Sequence, residues 1–188
     1  ERRLHHVQAL RQVDVAIASG LELRAILNVL LEQTQGQLGV DAGAVLLLNP
    51  HTQRLEHAGS RGFRTRLIEK PRSLMFGGYL ERVLRDRQRL AFPDLTRSPA
   101  PPDQVDLITA EGFAAHVALP LVFRGSVKGV LEVYHRSPLN PNDEWMEYLE
   151  ALAGQAGLAV DNLELLGQLQ RSNAELMQAY DATIEGWS

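Results

Sequence analysis

The sequence predicts an α+β domain in which helices at both ends of the chain flank two β-hairpins. Two apolar, β-branched runs surround Arg124-Gly125, and a glycine at that point suits the tight turn of a hairpin. A second pair of strand-like runs, 42–48 and 54–58, is separated by the turn-forming sequence Asn-Pro-His-Thr-Gln. Helical periodicity precedes the first hairpin and follows the second, which predicts the order helices, hairpin, hairpin, helix.

Two amphipathic helices are expected before the first hairpin. Apolar residues of the first helix recur every three or four positions: Leu4, Val7, Leu10, Val13 and Ile17. Ser19-Gly20 interrupts that pattern, and Ser19 with Glu22 has the spacing of a capping box that begins a second helix. This second helix has a broad apolar stripe and is predicted to end at Gly39.

The first hairpin and the segment that follows it differ in character. Residues 42–48 show no alternation of polar and apolar side chains, so this strand should be covered on both faces. The chain then becomes basic and irregular up to Arg72. Beyond it we predict a short helix over 79–87, a short strand over 89–92 and a second short helix that ends at Gly112.

Strand alternation in the second hairpin predicts which side chains share a face of the sheet. The two predicted sets are Val127, Leu131 and Val133 on one face, and Lys128, Val130, Glu132 and Tyr134 on the other. Gly129 within this strand predicts a bulge or the close approach of another backbone. Pro120 removes a hydrogen-bond donor from the opposite strand.

One long helix is predicted from about Asn142 to the end of the chain. Its first half carries a core-facing apolar stripe, and its second half fits a coiled-coil heptad with Asn173 at a core position, which favours two parallel helices. Because these stripes extend beyond what one sheet can cover, we expect a homodimer formed by the first and last helices. The dimer-interface candidates are Leu4, Val7, Leu10, Val13, Ile17, Leu152, Ala159, Leu166, Leu169, Asn173, Leu176 and Tyr180.

Composition excludes several classes of function. A net charge of −4 with interspersed signs provides no basic stripe for nucleic acid. The absence of cysteine excludes thiolate catalysis and thioether-linked chromophores, and it is compatible with a reducing cytoplasm, where we expect the protein. The longest mostly apolar stretch without charge, 112–123, is too short to span a membrane. The histidines lack partner ligands at suitable spacing, so no metal is expected, and no nucleophile and base are paired as in an enzyme.

The order of elements and several motifs resemble the GAF domain. The motifs are Val117-Ala-Leu-Pro-Leu-Val with Gly125, Val127-Lys-Gly-Val-Leu-Glu-Val, Asp143, and the helical run that opens Leu149-Glu-Ala-Leu-Ala. The resemblance covers about residues 20–165. It implies about six antiparallel strands, with the first and last helices on one face and short helices over a small-molecule pocket on the other. Residues 1–19 are then a linker or dimer helix, and residues 166–188 a coiled-coil-like extension.

The last residues, 175–188, resemble the connector that enters an HD-GYP cyclic di-GMP phosphodiesterase domain in multidomain signalling proteins. This resemblance implies such an output domain as a covalently attached partner outside this chain. Bilin-linked and methionine sulfoxide reductase members of the GAF family use a cysteine, which this chain lacks. The Asn-Lys…Phe…Asp-Glu signature of cyclic-nucleotide-binding members is not present in order. The sequence therefore names no cofactor, and it allows a small ligand that is bound noncovalently.

Aromatic and polar residues between the two hairpins are candidates for that pocket. The aromatic residues could line it or simply fill the core, arginines could clamp an acidic group, and Asp94 could accept a hydrogen bond from a ligand N–H. His116 could bond a ligand, ligate haem or be an ordinary core histidine, and Ala118 shares its strand phase. The pocket candidates are Phe63, Phe76, Tyr79, Arg82, Phe92, Asp94, Leu107, Phe113, His116 and Ala118, with Arg72 as a further arginine.

Two functions fit these expectations. The first is a dimeric sensory and regulatory module of bacterial signal transduction, in which the state of the pocket is passed along the last helix to an output domain. The second is a purely structural dimerisation domain whose pocket is filled by side chains.

Overall fold

The computed structural model of the chain describes residues 2–18, 22–74 and 77–186. Its helices and strands follow the predicted order. In chain order they are α1 (Arg2–Ala18), α2 (Leu23–Leu38), β1 (Ala42–Asn49), β2 (Arg54–Arg61), β3 (Arg72–Ser73), α3 (Tyr79–Asp86), β4 (Leu90–Phe92), α4 (Val105–Glu111), β5 (Ala115–Phe123), β6 (Ser126–His135) and α5 (Asp143–Glu185), with short 3₁₀ helices at Leu67–Glu69 and Pro102–Gln104.

Six antiparallel strands form one sheet in the order β3-β2-β1-β6-β5-β4. The two predicted hairpins, β1-β2 and β5-β6, make its centre, and they are joined by pairing between β1 and β6. Each edge of the sheet is a short strand from the segment between the hairpins, β3 on one side and β4 on the other. The α+β class and the six-stranded sheet implied by the resemblance are confirmed.

One face of the sheet, which we call the helix face, is covered by α2 and α5, and α1 packs against both helices. The core on this face is apolar and includes Leu27, Leu31, Leu131, Leu149 and Leu152, all fully buried. Burial of each such leucine side chain contributes about 1.5–3 kcal/mol. This face therefore supplies a large share of the stability of the fold.

The other face is covered by residues 62–114, which we call the insert, and we call this side of the sheet the insert face. Leu80 and Val83 of α3 pack against Leu46 and Val130 of the sheet. Residues of α4 and of the first 3₁₀ helix pack in a second apolar group farther along β6. Strand β1 is thus buried on both of its faces, as its unalternating sequence predicted.

A β-bulge in β6 changes which way its first residues point. Val122 pairs with Val127, and Leu121 pairs with Gly129, so Lys128 is the extra residue. Lys128 consequently reaches α5 on the helix face, while Val127 packs on the insert face. The predicted faces of these two residues were wrong, because one extra residue inverts the alternation. A Cβ atom on Gly129 would lie 2.1 Å from a carbonyl oxygen of β1, which confirms the predicted close backbone approach.

Local signals explain where the second hairpin turns and where the last helix begins. Arg124 and Gly125 have φ angles of 48° and 74°, as both central residues of a two-residue hairpin turn require. The side-chain oxygen of Asn142 accepts a hydrogen bond of 2.9 Å from the backbone N–H of Trp145 and caps α5. Ser19 of the predicted capping box lies outside the described residues.

Helix α5 is the longest element of the chain. Its 43 residues span about 65 Å. Its first half packs on the sheet and on α1, where the side-chain amide of Gln155 donates hydrogen bonds to the carbonyl oxygen of Leu10 and to the carboxylate of Asp14. From residue 168 onward, every described side chain of the helix is exposed. The second half of α5 therefore projects away from the sheet.

Candidate functional site

A carboxylate, that of Glu132, is fully buried on the insert face of β6. Its Oε2 lies 3.1 Å from Nη1 of Arg72 on edge strand β3, and its Oε1 accepts a hydrogen bond from the hydroxyl of Tyr79 at the start of α3. Nε2 of His116 on β5 lies 3.7 Å from Oε1. Three elements thus bring polar side chains to one buried carboxylate on a fourth. We define the Glu132 cluster as Arg72, Tyr79, Gln104, His116, Glu132 and Tyr134.

His116 is held in one orientation within this cluster. Its ring stacks on Tyr134 at a centroid distance of 4.3 Å, and its Nδ1 lies 3.2 Å from the carbonyl oxygen of Val133. Burial lowers the pKa of His116 below its ordinary 6.5, against the opposing effect of the nearby Glu132 carboxylate. The neutral ring therefore donates its Nδ1–H to that carbonyl, and Nε2 keeps a lone pair that can accept a hydrogen bond.

The other ionisable groups of the cluster have one dominant state each. Burial opposes the charge of Arg72, but the adjacent Glu132 carboxylate raises the pKa of Arg72 above its ordinary range. Burial, assisted by the same carboxylate, raises the pKa of Tyr79 and of Tyr134 well above 10. At neutral pH the cluster therefore holds one guanidinium and one carboxylate among neutral hydroxyl, imidazole and amide groups.

Several buried polar atoms in and beside the cluster have no hydrogen-bond partner among the described residues. They are Arg72 Nη2, Asp103 Oδ1, Gln104 Nε2, His116 Nε2 and Glu132 Oε2. The last of these is within ion-pairing distance of Arg72 but not in hydrogen-bonding geometry. A buried polar atom left without a partner destabilises a fold by about 1–3 kcal/mol. Buried polar atoms without a partner also occur elsewhere in the described residues, for example Tyr148 Oη and Gln155 Oε1, but five of them lie in and beside this cluster.

A cavity of about 320 Å³ adjoins the cluster. Tyr79 belongs to its wall and connects it to the cluster, because the Tyr79 hydroxyl donates to Glu132. Asp103 is also in the wall, and one oxygen of its carboxylate is buried without a partner among the described residues. Burial raises the pKa of Asp103, and the charge of Arg72 opposes this shift. The lining residues are Gly77, Gly78, Tyr79, Arg82, Phe92, Pro101, Pro102 and Asp103.

Three of the predicted pocket residues, Tyr79, Arg82 and Phe92, line this cavity. His116 lies behind it, with its ring against the edge of Tyr79 and parallel to the ring of Phe92. Ala118 is fully buried in the apolar group that supports α3. Phe76 lies outside the described residues.

The remaining predicted pocket residues have other roles in the fold. Phe63, Leu107 and Phe113 belong to one apolar group on the insert face. Within it the ring of Phe63 meets the ring of Phe113 edge to face, with the centroids 5.7 Å apart. They fill the core there and are not among the lining residues of the cavity. The carboxylate of Asp94 accepts hydrogen bonds from the backbone N–H and the hydroxyl of Thr96, so it shapes its own turn.

Residues that the pocket prediction missed carry the polar character of the site. Glu132, Gln104 and Tyr134 are fully or almost fully buried, and Asp103 is partly so. A signal for Glu132 was present, because alternation placed it on one face with the apolar Val130. A carboxylate at such a position requires a buried partner, and sequence alone does not reveal which residue supplies it.

The predicted dimer stripe divides into two parts. Val13, Leu152 and Ala159 are buried within the single chain, and Leu10 is partly buried against the same core, so these positions are core rather than exposed interface. Periodicity identified their shared face correctly, but α1, α2 and the sheet already cover it. The positions that remain exposed are Leu4, Val7, Leu166, Leu169, Asn173, Leu176 and Tyr180. The side chain of Ile17 lies outside the described residues.

A second cavity, about 410 Å³, lies at the other side of the molecule between α1, the end of α2 and the start of α5. It is larger than the cavity beside Glu132, but neither Arg72 nor Glu132 is among its lining residues. Among the described residues, no three acidic or histidine side chains are placed to hold a metal ion. No helix in the described part of the chain is both long enough and apolar enough to cross a membrane.

Comparison with known proteins identifies the family. The family model for the GAF domain matches residues 20–161, and the chain belongs to this family. GAF domains occur in signalling proteins, which supports a sensory or regulatory role for this chain. Comparison of the sequence with curated proteins gives no match.

Solved structures share the fold. The GAF domain of a phosphoenolpyruvate-protein phosphotransferase from Coxiella burnetii has a TM-score of 0.75 and 16% identity, covering 88% of this chain and 98% of that one. Residues 122 to 287 of a methyl-accepting chemotaxis protein have a TM-score of 0.68 and 23% identity, covering 82% and 98%. A phycocyanobilin-bound GAF domain from a cyanobacterial phytochrome has a TM-score of 0.68 and 17% identity, covering 85% and 96%.

Proposed function

We propose that this GAF domain binds a small molecule noncovalently in the cavity beside the Glu132 cluster and passes its occupancy through α5 to an output domain. The observation that carries the proposal is the set of buried, unpartnered polar atoms next to a cavity. A buried ion pair is weak as a stabilising device, because desolvation offsets its attraction. A face evolved only for stability would fill the same volume with apolar side chains.

The strand β6 provides a physical connection between the cavity and α5. Glu132 lies in its middle, and the bulge residue Lys128 lies near its start. Lys128 Nζ is 3.1 Å from Asp161 Oδ1 and also contacts the carboxylate of Glu164. These two acidic residues stand where α5 leaves the body of the domain. A shift of β6 on ligand binding would therefore be transmitted to the base of the projecting helix.

The exposed half of α5 is proposed as a dimer contact. Leu166, Leu169, Leu176 and Tyr180 are all more than half exposed and recur at heptad spacing. Leu4 and Val7 of α1 are exposed as well. A continuous apolar stripe of this length is stabilised by a partner helix, and Asn173 within it favours the parallel register of a homodimer. The output domain is proposed to be an HD-GYP phosphodiesterase, on the resemblance of residues 175–188 to its connector.

The rival function is a structural dimerisation domain without a ligand. A haem-binding sensor is less compatible with the geometry, because His116 Nε2 faces Glu132 behind Tyr79 and Phe92. Native mass spectrometry of the purified protein, followed by denaturation, tests ligand binding directly. A small molecule released from the wild-type protein supports sensing.

A blocked cavity provides the matched test. Gly78 lines the cavity in an extended conformation that any residue adopts, so Gly78→Phe places a ring in the cavity without backbone strain. We expect this variant to fold and to lose the bound molecule. Gly36→Phe is the control: it places the same ring at the second cavity, on the other side of the molecule, and should keep the bound molecule. Equal ligand content in both variants would contradict the proposed site.

The dimer is tested by Leu169→Asp. A charge at a heptad core position opposes helix pairing but touches no strand, so we expect weaker self-association with an unchanged fold. Sedimentation velocity measures the association, and circular dichroism measures the fold. Gln168→Asp, at the neighbouring exposed position outside the apolar stripe, is the control. A wild-type protein that is monomeric at tens of micromolar, roughly the range of ordinary micromolar affinities, would exclude the dimer.

A further inference from the structure

The second cavity, of about 410 Å³, has features of a binding site of its own. Three helices meet around it: the start of α1, the last turn of α2, and the first turn of α5 with the loop before it. It shares no lining residue with the cavity beside Glu132. Its volume falls within the range of about 300–1,000 Å³ that is ordinary for ligand sites. It therefore has room for a small organic molecule.

The wall of this cavity carries a carboxylate without a cationic partner. Among the described residues that line it, Glu144 is the one acidic side chain, and none is an arginine or a lysine. The Glu144 side chain keeps 35% of its surface exposed. The nearest basic group is the His6 ring, whose Nδ1 lies 3.9 Å from Glu144 Oε1, beyond hydrogen-bonding distance. At about pH 8, well above the ordinary histidine pKa of about 6.5, histidines leave the carboxylate charge uncompensated.

The ends of two helices shape the potential around this carboxylate. The wall includes the C-terminal turn of α2, which carries about half a negative charge, and the N-terminal turn of α5, which carries about half a positive one. These two partial charges offset each other, so the charge of Glu144 remains. No described backbone N–H donates to the carbonyl oxygens of Gly36 and Gln37 at the end of α2. The wall therefore favours a ligand that is positively charged and donates hydrogen bonds.

Apolar side chains form another part of the wall. Leu38 and Trp145 both line the cavity, and Trp145 Nε1 donates a hydrogen bond of 3.1 Å to the carbonyl oxygen of Leu38, which holds the indole against the end of α2. These side chains offer contact to a hydrocarbon chain. A metal ion fits less well, because no three acidic or histidine side chains of the described residues are placed to hold one.

From the unpaired carboxylate, the free carbonyl oxygens and the apolar wall, we propose that the second cavity binds a small organic cation of the primary-ammonium class. Its ammonium group pairs with the exposed part of the Glu144 carboxylate and donates to the carbonyl end of α2. Its hydrocarbon chain lies against Leu38 and Trp145. A monocation matches the single carboxylate of the described wall. This site is independent of the cavity beside Glu132 and of the function proposed for it.

Butylammonium is the first probe, and butanol and butyrate are its matched controls. The three molecules have similar hydrocarbon chains, but their head groups are positive, neutral and negative. At about pH 8, where ordinary histidines are neutral, and at constant ionic strength, we expect millimolar butylammonium to give heat on titration. It should also raise the melting temperature of the full chain, because a ligand that binds only the folded state stabilises that state. Butanol and butyrate should do neither.

Variants of the wall locate the binding. Glu144→Gln removes the charge and keeps the shape of the side chain, and we expect it to bind butylammonium roughly tenfold more weakly. Glu147→Gln, at an exposed position of the same helix outside the cavity, should bind as the wild type does. Gly36→Phe fills the second cavity and should abolish binding, whereas Gly78→Phe fills the cavity beside Glu132 and should retain it.

Each outcome decides for or against the cation site. Binding of butylammonium that is weakened by Glu144→Gln and abolished by Gly36→Phe supports it. Equal binding of butylammonium and butanol, or no binding of butylammonium, overturns it. Binding that survives Gly36→Phe, or that is lost in Gly78→Phe, also overturns it. If Glu144→Gln does not fold, the comparison of Gly36→Phe with Gly78→Phe still decides. The molecule that native mass spectrometry finds to be lost in Gly78→Phe bears on the proposed function alone.

Discussion

The helix face and the insert face of the same sheet are built in different ways. Long helices close the helix face over leucine side chains, and its buried Thr34 hydroxyl is satisfied by donating to the carbonyl oxygen of Leu30 at 2.8 Å. Short helices and loops close the insert face over Glu132, Arg72 and His116, where several polar atoms are unpartnered. The helix face therefore has a core dominated by leucine side chains, whereas the insert face combines apolar packing with the Arg72–Glu132 ion pair, on which the proposed ligand site depends.

A single strand serves both purposes. Leu131 and Glu132 are neighbours in β6, yet one is buried among leucines on the helix face and the other bonds Tyr79 on the insert face. Strand alternation alone separates them. Substitutions on the helix face should therefore change stability without changing ligand binding, whereas substitutions in the Glu132 cluster should change both.

The largest effect is expected for Arg72→Met. It removes the cation beside Glu132 and leaves a buried carboxylate uncompensated, which should lower the free energy of unfolding by about 3–5 kcal/mol. The double variant Arg72→Met with Glu132→Leu should regain most of that stability and still release no bound molecule. Urea unfolding measures the stability, and native mass spectrometry measures the bound molecule. A double variant as unstable as the single one would show that the ion pair is structural.

A slightly smaller loss is expected on the helix face. Leu152→Ala leaves a cavity in the leucine core and should lower the free energy of unfolding by about 2–5 kcal/mol. The amount of small molecule that native mass spectrometry finds in the folded fraction should be unchanged. Leu165→Ala, on an exposed part of the same helix, should change stability by less than about 0.5 kcal/mol. Altered ligand affinity in Leu152→Ala would mean that the two faces are not independent.

Tyr79→Phe should have an intermediate effect. It removes the hydroxyl that donates to Glu132 Oε1 and should destabilise the fold by about 1–3 kcal/mol. Thermal unfolding provides the measurement. Tyr180→Phe, which loses an exposed hydroxyl, is the control and should be neutral. If both variants melt alike, the hydrogen bond to Glu132 contributes little.

The smallest effect is a dependence on pH. The folded protein keeps His116 neutral, with a pKa below 6.5, whereas the unfolded chain binds a proton there near pH 6.5. The unfolded state therefore binds more protons below about pH 6.5, and stability falls as the pH is lowered, by at most about 1.4 kcal/mol per pH unit.

His57 also has a pKa lowered by burial and acts in the same direction. Variants separate the two histidines. His116→Gln should flatten the slope of stability against pH, and His57→Gln should leave most of it. If the dependence of stability on pH disappears in His57→Gln and persists in His116→Gln, His57 rather than His116 causes it.

The amino-acid sequence alone determined the elements, the two hairpins and the family. These follow from local signals: the turn at Arg124-Gly125, the periodicity of α2 and α5, and the unalternating β1. Sequence alternation also placed Glu132 with Val130 and Tyr134 on one face. Such signals act between residues close in the chain, which is why they can be read before the fold is known.

Only the tertiary structure decided what covers each face and which side chains meet. The helical periodicity of Leu152 and Leu166 is alike, but the sheet reaches only the first, so one is core and the other is exposed. The bulge at Lys128 reversed two side chains because its extra residue is defined by pairing with β5. Arg72 and Glu132 are 60 positions apart in the sequence, and their contact depends on how the insert folds over the sheet. Periodicity specifies a shared face, whereas packing between distant segments decides its partner.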